Sequence, residues 1–184
     1  IKKNSYIGDA HVLQRGNFEE FHSQVLNDPA YKIIEGDLQM GGQEHFYLEP
    51  NAALAVPGEQ DEMIIYSSMQ SLTKCQQLCA KVLHVDSSKI VAKTKRIGGG
   101  FGGKETRGAF YAAMTGVAAH KYRAPVRLIF DRDVDMCTTG QRHPFYYKYT
   151  AIVNLKDNKI EGIKCEMYCN GGYSLDLSQG VIDR

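Results

Sequence analysis

The sequence predicts an α+β fold, in which mixed sheets pack against helices. One observation is a pair of segments rich in β-branched and aromatic residues, 145–155 and 160–170, which flank a polar turn and predict a hairpin. The other is helical spacing: after Ser71, a good capping residue, apolar side chains in 72–83 recur at intervals of three, four and seven. Because further strand-like segments precede and follow this helix, strands are expected to pair both sequentially and across helices.

The other elements follow in chain order. A short helix is predicted at 17–26, because Asn17 can cap it and Glu19 and Glu20 suit the positive end of its dipole. Extended patterns broken by glycine and turn residues predict strands at 31–40, 43–49, 52–56, 62–68, 89–97 and 126–130. An alanine-rich helix is predicted from residue 106 to residue 122.

Length and composition limit the class of protein. With 184 residues, 43% of them hydrophobic, the chain is expected to form a single unit over 1–184, with a leading segment 1–30 and a core 31–184. A net charge of +1 argues against nucleic-acid or membrane-surface binding by bulk charge, and no apolar run approaches the roughly 20 residues of a membrane span. Since the chain starts at Ile1 and stops inside a continuing segment, we expect it to be a piece of a larger protein.

The five cysteines indicate a reducing compartment, because their number is odd and they form no disulfide-like framework. Cys75 and Cys79 are four apart on a predicted helix, and Cys165 and Cys169 are four apart on a predicted strand. Four thiolates could bind zinc or an iron–sulfur cluster. Their position among apolar residues inside regular elements favours buried packing instead, so no cysteine metal site is expected.

The densest signal is a loop with five glycines in six positions, residues 98–103, between a predicted strand and the alanine-rich helix. Without Cβ atoms such a loop can adopt positive φ, and its backbone amides can face a ligand. Amides next to a helix N-terminus suit a phosphate or another electron-rich oxygen. The loop could also be a purely structural crossing of two backbones.

A nucleotide-binding P-loop matches the loop in part. Gly98, Gly103 and Lys104 satisfy its template, but Glu105 stands where a hydroxyl should hold magnesium. The dinucleotide fingerprint is matched by the glycines alone. Its acidic partner, Asp131, lies 28 residues beyond Gly103 rather than about 20. In both cases the preceding strand is too polar to be buried on two faces.

A more specific resemblance rests on two motifs, GGQEHFYLE at 41–49 and GGGFGGKE at 98–105. Together they resemble the molybdenum hydroxylases, the family of xanthine dehydrogenases and aldehyde oxidases. The resemblance continues through DRDVDM at 131–136, TGQRHPF at 139–145 and NGGYSLDLS at 170–178. It therefore covers nearly the whole chain in order, and it implies that the fold is part of a molybdenum-cofactor domain.

The resemblance implies that Gln43, Phe101 and Gly102 bind a molybdopterin cofactor. Gln43 would donate a hydrogen bond at the molybdenum centre, which a neutral amide can do without protonating its acceptor. Phe101 and Gly102 would line the other side, with the Gly102 backbone N–H at close range. Gln43 and Phe101 are thus the residues expected nearest the metal.

The resemblance also implies a substrate site. Glu105 and Arg184 match a glutamate and an arginine that grip a purine, xanthine or hypoxanthine, in one branch of the family. Such an arginine can stabilise negative charge that builds on the heterocycle. The general base, a glutamate, is expected beyond Arg184, so no catalytic residue is assigned within this segment.

For the full-length protein the resemblance implies an oxidoreductase that converts hypoxanthine and xanthine to urate. Electrons would pass through 2Fe-2S clusters and FAD to NAD. The protein would be a homodimer in the cytoplasm or the peroxisome, and the isolated segment would be inactive. An aldehyde oxidase of the same family and a nucleotide-binding module built on the 98–103 loop remain alternatives.

Overall fold

A computed structural model describes residues 5–182. The helices are α1 (Phe18–Val25), α2 (Leu72–Leu83), α3 (Arg107–Tyr122), α4 (Arg132–Thr138) and α5 (Ser178–Ile182). The strands are β1 (Tyr31–Met40), β2 (Ala52–Pro57), β3 (Met63–Ser67), β4 (Ile90–Lys93), β5 (Val126–Ile129), β6 (Phe145–Asn154) and β7 (Lys159–Cys169).

The chain divides into two compact units. One unit comprises residues 1–42 and 143–184, and the other comprises residues 43–142. Each has its own sheet: β1-β6-β7 in the first and β4-β3-β2-β5 in the second. A two-part division is not visible in the sequence because the first unit is discontinuous along the chain.

The unit of residues 43–142 is a four-stranded sheet covered by α2 and α3. β2 pairs antiparallel with β3 and β5, whereas β3 and β4 are parallel and are joined through α2. Alanines on the buried face of α3 allow close packing, and Cys75 and Cys79 of α2 are fully buried beside them. Cys75 and Cys79 therefore belong to the core, as the sequence predicts, whereas the buried packing predicted for Cys165 and Cys169 is wrong, because Cys165 is exposed on β7 and Cys169 is only half-buried.

The other unit is an antiparallel sheet with α1 on one face. β6 pairs with β1 and β7 along almost its full length. Gly162 makes room for α1, because a Cβ there would lie 3.3 Å from Phe21 and 3.5 Å from Phe18. Lys164 of β7 pairs with Glu19 at 2.5 Å, and Asn17 caps the helix by accepting from the N–H of Glu20.

Most predicted elements are confirmed, including the hairpin, three helices and the strands at 31–40, 52–56, 62–68 and 126–130. The strand predicted at 43–49 is wrong: only an isolated bridge at Gln43 forms, and Phe46 has φ +47°. The strand predicted at 89–97 is shorter, Ile90–Lys93, after a 3-10 turn at Ser87–Lys89. Helices α4 and α5 were not predicted. No helix among residues 5–182 is long and apolar enough to cross a membrane.

Candidate functional site

The glycine loop, residues 98–103, connects the chain after β4 to α3. Three of its glycines face side chains of the same unit so closely that a Cβ would overlap them. The shortest contacts of such a Cβ are 2.5 Å from Gly98 to Glu49, 2.5 Å from Gly100 to Gln70 and 2.6 Å from Gly103 to His45. We call this tightly packed face, together with Lys104, the inner side of the loop.

Phe101 and Gly102 form the opposite face, which we call the outer lip. Phe101 is 74% exposed and has φ +50°, an uncommon conformation for a residue with a side chain. Gly102 has φ +88°, and apart from its chain neighbours Phe101 and Gly103 a Cβ at this position would meet no atom of the described residues within 4 Å. A left-handed backbone conformation that no local packing requires is typical of a functional position.

The N–H group of Gly102 points toward the protein. From the sequence we had expected this group to face a ligand. It donates to the side-chain oxygen of Gln70 at 3.0 Å, and the N–H of Lys104 donates to the same oxygen at 3.3 Å. The open space at Gly102 is therefore on its Cα side. Gln70 was not singled out from the sequence, because nothing local to it signals a partner 32 residues away.

Lys104 lies under the loop and is completely buried. Its ammonium group donates to Ser68 at 2.6 Å and to Glu49 at 3.4 Å, and it lies 4.6 Å from the centre of the Tyr47 ring. Burial is the main cause that lowers the pKa of Lys104, although the Glu49 carboxylate opposes this. Because its ammonium group is used inside the unit, Lys104 does not supply the phosphate-binding lysine that the P-loop reading requires.

Glu49 joins the inner side to the rest of the unit. Its carboxylate accepts from the N–H of Gly98 at 2.8 Å and from Ser68 at 2.6 Å, in addition to Lys104. Burial alone would raise the pKa of Glu49. The hydrogen bonds from Gly98 and Ser68 and the charge of Lys104 outweigh burial, so the pKa lies below its usual value.

A second polar cluster, centred on Asp135 of α4, supports the segment before β2. The buried Asp135 carboxylate accepts from the Tyr47 hydroxyl and from both the backbone and side-chain N–H groups of Asn51. Burial is the largest effect on the pKa of Asp135 and raises it, but these hydrogen bonds lower it below its usual value. Burial and the bond to Asp135 raise the pKa of Tyr47 to about 12.

Arg132 holds the same segment from α4. Its guanidinium group donates to the backbone oxygens of Tyr47 and Leu48, and lies 4.9 Å from the centre of the Phe46 ring. The hydrogen bonds of the Arg132 side chain and most of those of the Asp135 carboxylate are long-range and reach residues 47–51, so this segment is held in place although it forms no strand.

The remaining predicted site residues are placed as follows. Gln43 is exposed, and its backbone pairs with Arg142 through bonds of 2.9 and 3.4 Å. Since His45, two residues later, packs on Gly103, Gln43 belongs to the segment that underlies the loop. Glu105 is half-buried just before α3, with its N–H donating to the Gly102 oxygen at 3.3 Å. Arg184 lies outside the described residues.

Comparisons with known proteins agree on one family. Residues 4–184 match the molybdopterin cofactor-binding domain. The chain is 44% identical to a xanthine dehydrogenase of Dictyostelium discoideum and 50% identical to a xanthine dehydrogenase/oxidase of Gallus gallus, with all of the chain covered in both. It spans only 13% of the length of either relative.

Solved structures show the same fold. An aldehyde oxidoreductase from Desulfovibrio desulfuricans has a TM-score of 0.72 at 23% identity, covering 87% of this chain and 17% of its own. Quinoline 2-oxidoreductase from Pseudomonas putida has a TM-score of 0.68 at 16% identity, covering 83% of this chain and 19% of its own. At these identities the likeness concerns the fold alone.

Proposed function

The chain belongs to the molybdopterin cofactor-binding domain family, and we propose on that premise that it forms part of the molybdenum site of a xanthine dehydrogenase. The observation that carries the proposal is the outer lip. Its open Cα side at Gly102 and its exposed Phe101 are held by a rigid inner side, in the motif that the family resemblance assigns to the cofactor. A fixed surface without a side chain of its own suits the close approach of a bulky cofactor.

The residues of this chain fit the cofactor in complementary ways. Gln43 is exposed and has a neutral amide that can donate a hydrogen bond at the molybdenum centre. Gly102 contributes space on its Cα side rather than a free N–H, because that N–H is bonded to Gln70. Phe101 contributes its exposed ring to the outer lip. When bound, the molybdenum cofactor supplies the two-electron oxidation chemistry.

For the substrate we propose a purine, xanthine or hypoxanthine, oxidised to urate. Glu105 lies two residues before α3 and three residues after Gly102, so it is close to the outer lip in the chain, and we assign its carboxylate to a ring nitrogen or oxo group of the purine. Arg184 is the proposed partner on the other side of the purine. This pair distinguishes the proposal from an aldehyde oxidase, for which a purine-gripping charge pair has no use.

The remaining proposals concern the full-length protein. We propose that it transfers electrons through 2Fe-2S clusters and FAD to NAD, and that it is a homodimer in the cytoplasm or the peroxisome. The general base is proposed to lie outside this chain. These statements rest on the xanthine dehydrogenases that the chain resembles.

The test compares purine and aldehyde turnover by the full-length protein. Glu105→Val should lower kcat/KM for xanthine by roughly 10- to 100-fold, the effect of losing one charged hydrogen bond. Combining it with Arg184→Met should lower it further while turnover of an aromatic aldehyde is retained. Glu59→Val, in the exposed turn after β2, is the matched control and should change neither. Unchanged xanthine turnover in the double variant would reject the purine site.

A further inference from the structure

We propose that Cys169 is a nucleophilic thiol, a modification site for small uncharged electrophiles of the α,β-unsaturated carbonyl class, with Ser178 and His143 as its proton relay. Cys169 is the last residue of β7, His143 lies two residues before β6, and Ser178 is the first residue of α5. None of the three belongs to the cofactor or substrate site proposed above. The inference therefore does not depend on the proposed function.

The hairpin of β6 and β7 brings these side chains to one end of its sheet. Phe145 pairs with Cys169 in the antiparallel ladder, so the residues just before β6 lie beside those at the end of β7. After β7 the chain returns to the same end through a turn in which the N–H of Ser178 donates to the Leu175 oxygen at 2.9 Å. Residues far apart in the sequence, His143 and Ser178, thus meet at the Cys169 thiol.

The three polar groups are arranged as a relay. The Cys169 thiol donates to the Ser178 oxygen at 3.6 Å, and that oxygen lies 2.6 Å from Nδ1 of His143. The Cys169 sulfur is also 3.7 Å from the same Nδ1. Because a hydroxyl has one hydrogen and two lone pairs, Ser178 can accept from the thiol and donate to the imidazole at the same time. This direction assigns the neutral His143 ring the tautomer with its hydrogen on Nε2.

The relay supplies what a thiol needs in order to react. The thiolate is the nucleophilic form of cysteine, and a neighbouring imidazole generates it by taking the proton. The Cys169 proton passes to the Ser178 oxygen while the Ser178 proton passes to Nδ1 of His143. The thiolate then adds to the β-carbon of the electrophile, so that a C–S bond forms as the C=C π bond breaks. The relay returns the proton to the α-carbon, and neither an oxidant nor a leaving group is needed.

Cys165 provides a matched thiol on the same strand. It lies four residues before Cys169 and is exposed, whereas Cys169 is half-buried. Among the residues that the structure describes, no hydrogen bond reaches the Cys165 thiol. Access alone therefore predicts that Cys165 reacts faster, while the relay predicts that Cys169 does. Half-burial also favours a small uncharged reagent, because a charged one would lose hydration on approaching Cys169.

The experiment labels the full-length protein with N-ethylmaleimide, an uncharged α,β-unsaturated imide, and follows each cysteine-containing peptide over time by mass spectrometry. His143→Gln removes the base, Ser178→Ala interrupts the relay, and Ser178→Thr keeps the hydroxyl. Ser174→Ala is the control, because the Ser174 hydroxyl holds the same segment by accepting from the N–H of Asp176 at 3.3 Å. Labelling of the fully buried Cys75 reports any unfolding of the variants.

In the wild type we expect Cys169 to be labelled about 10-fold faster than Cys165. His143→Gln and Ser178→Ala should each lower the Cys169 rate about 10-fold and leave the Cys165 rate unchanged, whereas Ser178→Thr should retain most of the Cys169 rate. Ser174→Ala should change neither rate. Slower labelling of Cys169 than of Cys165 in the wild type, or an unchanged Cys169 rate in His143→Gln, would overturn the proposal. An equal loss in Ser174→Ala would overturn it too, because loosening of the segment would then explain the effect.

Discussion

The inner side of the glycine loop is packed like a protein core, whereas the outer lip meets open space. On the inner side a Cβ at Gly103 would lie 2.6 Å from His45, while a Cβ at Gly102 would have no neighbour within 4 Å. The two glycines are adjacent, yet they are glycines for different reasons. Gly103 makes room for the protein's own side chains, and Gly102 permits a left-handed backbone beside a surface that is left open.

This difference explains why glycine templates alone mislead. Phosphate-binding loops use glycines so that backbone amides face a ligand. Here, several glycines face inward and accommodate Glu49, Gln70 and His45, and the loop lysine is buried beneath them. Only the outer lip is available to a ligand. The comparison predicts that inner-side substitutions reduce stability and that outer-lip substitutions reduce function.

The largest effect is expected at Lys104. Lys104→Met removes a buried charge and takes one partner from Glu49 and one from Ser68, which should lower the local free energy of opening by about 3 kcal/mol. We place this loss of free energy at the lower end of the range for breaking a buried ion pair, because the Glu49 side chain is 39% exposed. Hydrogen exchange of α3 amides in the full-length protein measures the loss, and Lys95→Met, at an exposed position, should change it by less than about 0.5 kcal/mol.

The next largest effect separates the two sides directly. Gly103→Ala inserts a methyl group against His45 and Tyr47, and should destabilise the unit by about 2 kcal/mol. Measured by the same exchange experiment, an effect below about 0.5 kcal/mol would mean that the inner side is not tightly packed.

A smaller effect is expected from pH. The pKa of Asp135 is lower in the folded protein than in the unfolded chain, where it is about 4. The hydrogen bonds of its carboxylate therefore stabilise the unit fully at pH values above the unfolded pKa. This stabilisation is lost as the pH falls through the folded pKa. Asp135→Asn should be less stable at pH 7 and lose less stability between pH 5 and pH 3. Hydrogen exchange of the α4 amides measures the stability at pH 7 and its change between pH 5 and pH 3. Asp86→Asn, at an exposed position, is the control and should lose as much stability on acidification as the wild type.

The smallest change in stability is expected at Phe101. Phe101→Gly relieves the positive φ, worth about 1 kcal/mol, but loses a similar amount through greater freedom of the unfolded chain. The opening free energy of α3 should therefore change by less than about 0.5 kcal/mol. If Phe101 covers the cofactor, kcat/KM for xanthine should nevertheless be about 10-fold lower in full-length Phe101→Gly than in the wild type. A large loss of stability would instead assign Phe101 to the fold.

Local patterns predicted the elements that depend on local interactions. Asn17 caps α1 as expected, and the spacing of apolar residues gave α2, because both signals lie within a few residues of each other. The strand predicted at 43–49 failed for the opposite reason. Its alternation is real, with Tyr47 buried, but Tyr47 is held by Asp135, 88 residues away, rather than by a neighbouring strand.

The candidate site was predictable in part. The motif pointed to Phe101 and Gly102, and both residues have positive φ with the Phe101 side chain exposed, while their contact with the cofactor stays a prediction. The roles of Lys104 and Gln70 were not predictable, because their partners Glu49 and Gly102 are 55 and 32 residues away. A single sequence contains no signal for contacts at that separation.

The most direct test of the account is the molybdenum content of the full-length protein with Gly102→Ala or Gly140→Ala. Both glycines belong to the same unit, both have positive φ, +88° and +78°, and neither has a neighbour within 4 Å of a Cβ. The backbone strain of the two substitutions should therefore be similar. We predict that Gly140→Ala keeps the wild-type content and that Gly102→Ala loses most of it, because the methyl group occupies the approach to the outer lip. Equal molybdenum content in the two variants would contradict the account.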